Sequence, residues 1–247
     1  MGPDKAIRSA WREALETLRP PAGDRHGPLV PMMVALTLLT GLVDASSYLE
    51  LGHVFVANMT GNIVFLGFAL AGARGVSAVS SLVALASFLL GALAGGRLGA
   101  LTSGHRGHML RASIVVQVSL LAVALAIALL AREPLDAGLR DGLIVPMALA
   151  MGVQNATAQR LAVPELTTTV LTKTLTGIVS EARVAGGEGS KLGRRSIAVA
   201  AMLAGAIAGG LLVLHVSIAA ALGAACAVAL GVGIAVHVLV RPDAPWR

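Results

Sequence analysis

Charge is scarce in this chain. Asp, Glu, Lys and Arg together make up 13% of its 247 residues, about half the share of an ordinary soluble domain. That is too little polar surface to cover a soluble core of this size. Aromatic residues are scarcer still, at 3%, which excludes the stacking platforms that single-stranded nucleic-acid binders use. Nucleic acid is therefore not an expected partner despite a net charge of +6. The basic residues gather in tails and loops, as they do at the cytoplasmic ends of membrane proteins. The single cysteine, Cys226, excludes an internal disulfide or a cysteine metal cluster. It lies in an apolar run and reads as a small packing residue. Neither Gly-x-Ser-x-Gly nor His-Glu-x-x-His is present, so no enzyme and no cofactor is expected. Gly186-Gly-Glu-Gly-Ser-Lys191 lacks the Gly-Lys-Ser/Thr end of a phosphate loop and reads as a flexible loop. His105 and His108 have no partner cluster for a metal.

Long apolar runs fill the space that charge leaves. Hydrophobic residues make up 56% of the chain, and apolar stretches cover residues 29–51, 54–71, 78–100, 112–131, 142–163, 166–182, 197–215 and 217–240. A membrane-crossing helix needs about 20 apolar residues. The runs are too long for strands, and the alternation of a β-barrel is missing. The expected fold is therefore all-α: a polytopic transmembrane helical bundle of six to eight segments with an internal two-fold repeat. Residues 1–28 carry four acids and no short apolar core, unlike a cleavable signal peptide. Ile7, Trp11, Leu15 and Leu18 instead give an amphipathic helix stopped by Pro20-Pro21, expected on the cytoplasmic membrane surface. Residues 29–240 form one membrane domain, and 241–247 a cytoplasmic tail.

Three matches suggest duplication. Gly91-Ala-Leu-Ala-Gly-Gly96 resembles Gly205-Ala-Ile-Ala-Gly-Gly210, 114 residues on. Gly41-Leu-Val-Asp-Ala45 resembles Gly152-Val-Gln-Asn-Ala156, 111 on, and Thr60-Gly61-Asn62 falls on Thr172-Lys173-Thr174, 112 on. The halves are 29–131 and 142–240. Gly91, Gly95 and Gly99, like Gly205 and Gly209, are spaced for close helix approach in lipid. This spacing serves either internal packing or a homodimer.

The segments 54–71 and 166–182 are weak: the first is short and polar, the second is rich in threonine and holds Lys173. If they cross, the halves are parallel repeats of four; if they re-enter, inverted repeats of three. Both arrangements put both termini and the 183–195 loop in the cytoplasm by the positive-inside rule. Eight crossings is the preferred reading, because each weak segment then crosses once without a special break.

Polar residues within apolar segments are the candidates for function. Asp44 is the only acid well inside one, and Lys173 the only base at such depth. Intramembrane charges usually face a cavity or a partner, so the two are expected to interact across the repeat interface, directly or through a bound ligand. Asn58, Thr60, Gly61 and Asn62 weaken their helix and free backbone groups that bind a solute or ion, or glue helices together. Gln154 and Asn155, the counterparts of the Asp44 region, carry the same two readings.

At 41–67 the sequence resembles the YoaK family of bacterial membrane proteins, through Gly41-Leu-Val-Asp-Ala-Ser-Ser-Tyr-Leu and Val54-Phe-Val-Ala-Asn-Met-Thr-Gly-Asn62. The resemblance extends over 29–240. It implies about six membrane segments and supplies neither substrate nor reaction. Thr172-Lys173-Thr174 departs from the Thr-Gly-Thr typical of the family's second half. The expected function is a small secondary transporter or permease of the inner membrane, handling a small solute or ion. Its binding site would be Asp44, Asn58, Thr60, Gly61, Asn62, Gln154, Asn155, Thr172 and Lys173. The alternative is a non-transporting membrane scaffold.

Overall fold

A computed structural model describes residues 3–21, 23, 24, 26–102, 105–131, 134–166, 168, 169, 171–182 and 191–239, with the backbone alone for 3–10. The tail 241–247 and the glycine-rich loop at 183–190 lie outside the described residues. The elements are α1 (Pro3–Leu18), α2 (Leu29–Glu50), α3 (Met59–Leu70), α4 (Ala78–Leu101), α5 (Arg106–Leu130), α6 (Ala137–Leu161), α7 (Leu171–Ser180), α8 (Leu192–His215) and α9 (Ile218–Leu239). No strand occurs among the described residues.

Local chemistry explains several boundaries. Ser77 accepts a hydrogen bond from the Ser80 N–H and so caps α4, and the Asp136 carboxylate accepts from the Leu139 N–H to cap α6. Pro28 precedes α2, and Pro31 lies in its first turn, where a missing N–H costs nothing. Pro146 stands inside α6 and removes one ladder bond there; the surrounding helices bury it.

Among the described residues, five helices are long and apolar enough to cross a membrane: α2, α4, α5, α8 and α9. α6 is as long as α5, at 25 residues, but less apolar. Large apolar side chains point outward from the peripheral helices, among them Leu89 and Leu93 of α4, Val123 of α5, Ile207 and Leu211 of α8 and Ile234 of α9. Such a surface suits lipid and would aggregate in water. α2 and α6 take the centre, with Leu39, Val43, Ile144, Met147 and Met151 fully buried.

α3 has 12 residues and α7 has 10, which makes them about 18 and 15 Å long at about 1.5 Å per residue. Neither spans a hydrocarbon core of about 30 Å. Helix directions agree with this. Arg106 at the start of α5 meets His26, just before α2, and the carbonyl of Leu161, at the end of α6. Farther along, Gln117 of α5, Gln154 of α6 and Thr40 of α2 meet. α2 and α5 therefore run together, and α6 runs against them. α4 is parallel to α6, since Ser80 bonds Asp141, Gly91 meets Leu149 and Gly99 meets Arg160. α8 is parallel to α2, since Gly205 meets Leu38 and Gly209 meets Leu42. The chain thus reverses direction between α2 and α4, and again between α6 and α8. The two weak segments re-enter rather than cross, which corrects the preference for eight crossings. Six long helices remain among the described residues.

The glycines fix the closest approaches. A Cβ on Gly91 would collide with the carbonyl of Leu149, and one on Gly152 with that of Phe88. One on Gly205 would strike the carbonyl of Leu38, and one on Gly41 that of Met202. The α4–α6 and α2–α8 pairs thus both close on glycines set against a facing carbonyl; Gly91 to Gly205 is 114 positions, Gly41 to Gly152 is 111. The glycine stripes considered above for a homodimer are filled by the chain's own helices.

Candidate functional site

After α2 the chain turns back along its last two turns. His53 N–H donates to the Tyr48 carbonyl (3.2 Å), and Phe55 stacks on Tyr48 with ring centroids 5.1 Å apart. Deeper in, the Val56 and Ala57 N–H groups donate to Oδ1 of Asp44 at 3.0 and 2.8 Å. The chain then returns outward as α3. Asn62 closes the reversal: its Oδ1 accepts from Phe55 N–H (2.9 Å) and its Nδ2 donates to the Phe55 carbonyl (2.6 Å). Gly61 lies under the Phe55 ring, which leaves no room for a Cβ. In a bilayer an unwound backbone must find partners within the protein, and Asp44 and Asn62 supply them. Both are buried, whereas Asn58 and Thr60 at the hairpin tip are exposed.

The second hairpin enters from the opposite end of the bundle. α6 ends at Ala162, in the left-handed region at φ 47°. Glu165 and Thr168 are left-handed too, at φ 68° and 60°, conformations that cost non-glycine residues of order 1–3 kcal/mol each. The Thr169 hydroxyl donates to Oδ1 of Asn155 at 3.0 Å, so Asn155 serves this hairpin as Asp44 serves the first. α7 then runs back out. A charged clamp replaces the aromatic stack here. Arg195 near the start of α8, almost fully buried, donates from Nε to Glu165 (2.7 Å) and from Nη2 to Glu181 (2.8 Å). One glutamate precedes α7 and the other follows it, and Gly177 packs against the guanidinium between them. The hydrogen bond from Arg195 holds the Glu165 carboxyl below its ordinary range, with Lys191 and Lys173 adding to the effect.

A third polar group lies between the hairpins. Gln117 Nε2 donates to Gln154 Oε1 at 2.5 Å, and Gln154 Nε2 donates to Thr40 Oγ1 (2.8 Å) and to the Leu36 carbonyl (3.3 Å). All three side chains are buried. The amide of Gln154 is spent on joining α2, α5 and α6.

The expected site residues therefore occupy three places. Asp44, Asn58, Thr60, Gly61 and Asn62 belong to the first hairpin, Asn155, Thr172 and Lys173 to the second, and Gln154 to the central network. Asp44 and Lys173 do not pair directly. Asp44 binds backbone N–H groups, Lys173 is exposed on α7, and the ion pairs among the described residues are Arg12–Glu16, Arg195–Glu165 and Arg195–Glu181. The sequence reading missed the Arg195 clamp and Gln117. Glu165 and Glu181 bracket the second weak segment, with Arg195 just beyond, and that charge pattern was a signal.

The family described as "Protein of unknown function (DUF1275)" matches residues 32–235, which include both hairpins and all six long helices in whole or in large part. The chain belongs to this family. The UPF0700 transmembrane protein YoaK of Bacillus subtilis (strain 168) is a relative, 34% identical over 151 residues. The aligned region covers 61% of this chain and 65% of that protein, a little under two thirds of the relative's length. No solved structure matches. The chain is accordingly an integral membrane protein of a family whose function is unknown, and the YoaK resemblance seen at 41–67 holds.

Proposed function

We propose that this protein is a small secondary transporter or permease of the inner membrane, with its path between the two hairpins. The observation that carries the reading is the pair of interrupted, short helices that enter from opposite ends and begin near the depth of Asp44 and Asn155. Broken helices at the membrane midplane are a recurrent design for binding solutes and ions in transporters, often within inverted repeats. The glycine contacts of α2–α8 and α4–α6 support descent of the two halves from one inverted unit. In this reading Asp44 carries a coupling proton or meets a cationic group, and exposed Asn58, Thr60, Thr172 and Lys173 meet a small solute or ion.

The end that carries α1, the start of α8 and Arg97, Arg106, Arg111 and Arg160 is read as cytoplasmic. Among the described residues the other end holds only Arg74 and Arg140 as strong bases, and positive charge collects inside. Both termini then lie in the cytoplasm.

One observation favours the alternative, a non-transporting scaffold. Asp44 and Asn62 are already engaged by the first hairpin's own backbone. Purified protein in vesicles separates the two readings. Proton movement would be followed with an internal pH dye while a panel of small metabolites is added outside. Solute-driven proton flux that is lost in Asp44→Asn, with the melting temperature nearly kept, supports transport. An absence of flux for every solute, with or without a pH gradient, favours the scaffold.

A further inference from the structure

α1 has two faces with different fates. Glu13 and Thr17, one turn apart, face the bundle: Thr17 is buried, and Oε2 of Glu13 accepts from the Gly193 N–H at 3.1 Å. That bond caps the N-terminus of α8, where Lys191 supplies no side-chain cap. Trp11, Leu15 and Leu18 share the other face and are 69%, 64% and 49% exposed. An apolar stripe on a helix that touches both α8 and α2 would be a liability in water. Its position says what covers it. Gly193 is the second residue of a membrane-crossing helix, so α1 is moored where the hydrocarbon zone begins. Exposed Arg12, which also pairs with Glu16 at 3.0 Å, and exposed Arg19 lie along one side of the stripe.

We infer that α1 is a lipid-docking element, with Trp11, Leu15 and Leu18 set into the interface of the leaflet at the basic end and Arg12 and Arg19 on anionic headgroups. An amphipathic helix with basic residues beside a Trp/Leu face binds bilayer surfaces in this way, more strongly where lipids are anionic. Glu13 then links lipid to α8 and, two residues beyond Gly193, to the Arg195 clamp on the second hairpin. The inference stands on the α1 contacts and does not depend on transport.

The test uses the full chain in lipid nanodiscs. The two tryptophans are Trp11 and Trp246, so Trp246→Phe leaves Trp11 as the reporter. Docking requires that Trp11 emission be blue-shifted, quenched by lipids brominated high on the acyl chain, and shielded from aqueous iodide. Quenching should strengthen when phosphatidylglycerol replaces phosphatidylcholine. Arg12→Gln and Arg19→Gln should each lower the docked-to-undocked ratio about fivefold in anionic discs, the equivalent of about 1 kcal/mol per basic residue at such a surface. Emission open to iodide and untouched by brominated lipid overturns the inference. Shielding from both quenchers that appears only with two copies per disc also overturns it, in favour of a contact between chains. Quenching that ignores headgroup charge removes the anionic-lipid part.

Discussion

Gly91 of α4 rests on the backbone of Leu149 in α6, with no space between them for a side chain. Gly205 of α8 and Leu38 of α2 repeat the arrangement. Gly91→Val and Gly205→Val should each push a helix pair apart. Overpacking of a close core contact costs about 1–3 kcal/mol, visible as a lower unfolding temperature in detergent. Gly96→Ala is the control, since nothing lies within reach of its added Cβ. It should be neutral or gain up to about 1 kcal/mol from helix propensity. Equal losses at Gly91 and Gly96 would mean that α4 does not meet α6 at this stripe.

Asp44→Ala removes the acceptor that Val56 and Ala57 share. A buried group left unpaired costs about 1–3 kcal/mol, and two are left here, so the variant should melt well below the wild type. Asp44→Asn keeps an acceptor oxygen and should lose less. Lys173→Met should have little effect on stability, alone or combined with Asp44→Asn, because the two side chains lie on different hairpins. A double variant markedly more stable than the sum of its parts would restore the interaction expected from sequence.

Length and polarity made the bundle legible from sequence. Glycine spacing made its tightest contacts legible, though not their partners, since a small residue leaves the facing helix unnamed. The weak segments were recognisable by Thr60, Gly61, Asn62 and Lys173. Their path was not, because a charge count fits either path. Asp44 was legible as a residue needing a partner. That partner is backbone 12 and 13 positions later, and a backbone N–H carries no letter in the sequence. The nine candidates were grouped by depth in their segments. The fold separates them by the end from which each hairpin enters.

Acid should loosen the second hairpin. Glu165 titrates below its ordinary range because Arg195 donates to it. A carboxylate lowered in the folded state stabilises fully above its unfolded value, near 4.3 for Glu, and that contribution disappears as pH falls through the lowered value. Melting temperature measured from about pH 7 down to pH 3 should drop below about pH 4. Glu165→Gln should start lower at neutral pH and show a shallower drop. Parallel curves would show that this pair does not govern the acid response.

Labelling tests the six-helix path. With Cys226→Ala as background, Ser103→Cys falls in sequence between α4 and α5, whose flanking ends lie at the basic end, and Gly75→Cys before α4 at the other. A membrane-impermeant thiol reagent applied to intact cells should modify Gly75→Cys and spare Ser103→Cys until detergent is added. Modification of Ser103→Cys in intact cells would bring back the eight-crossing path. A reporter active only outside the cell should stay silent when fused at Gly189.

The central helices α2 and α6 occupy matching places, yet only α2 is apolar enough to rank as a crossing helix by composition. The order of synthesis runs parallel to the difference. α2 leaves the ribosome long before α8, the helix it touches most, so its own apolar residues are what suit it to lipid in the meantime. α6 follows α4 and α5, the helices it packs against, and can pass straight from the insertion machinery onto a waiting surface. α6 is thus relieved of a demand that α2 must meet, and a helix that inserts onto waiting partners can carry Pro146, Gln154 and Asn155.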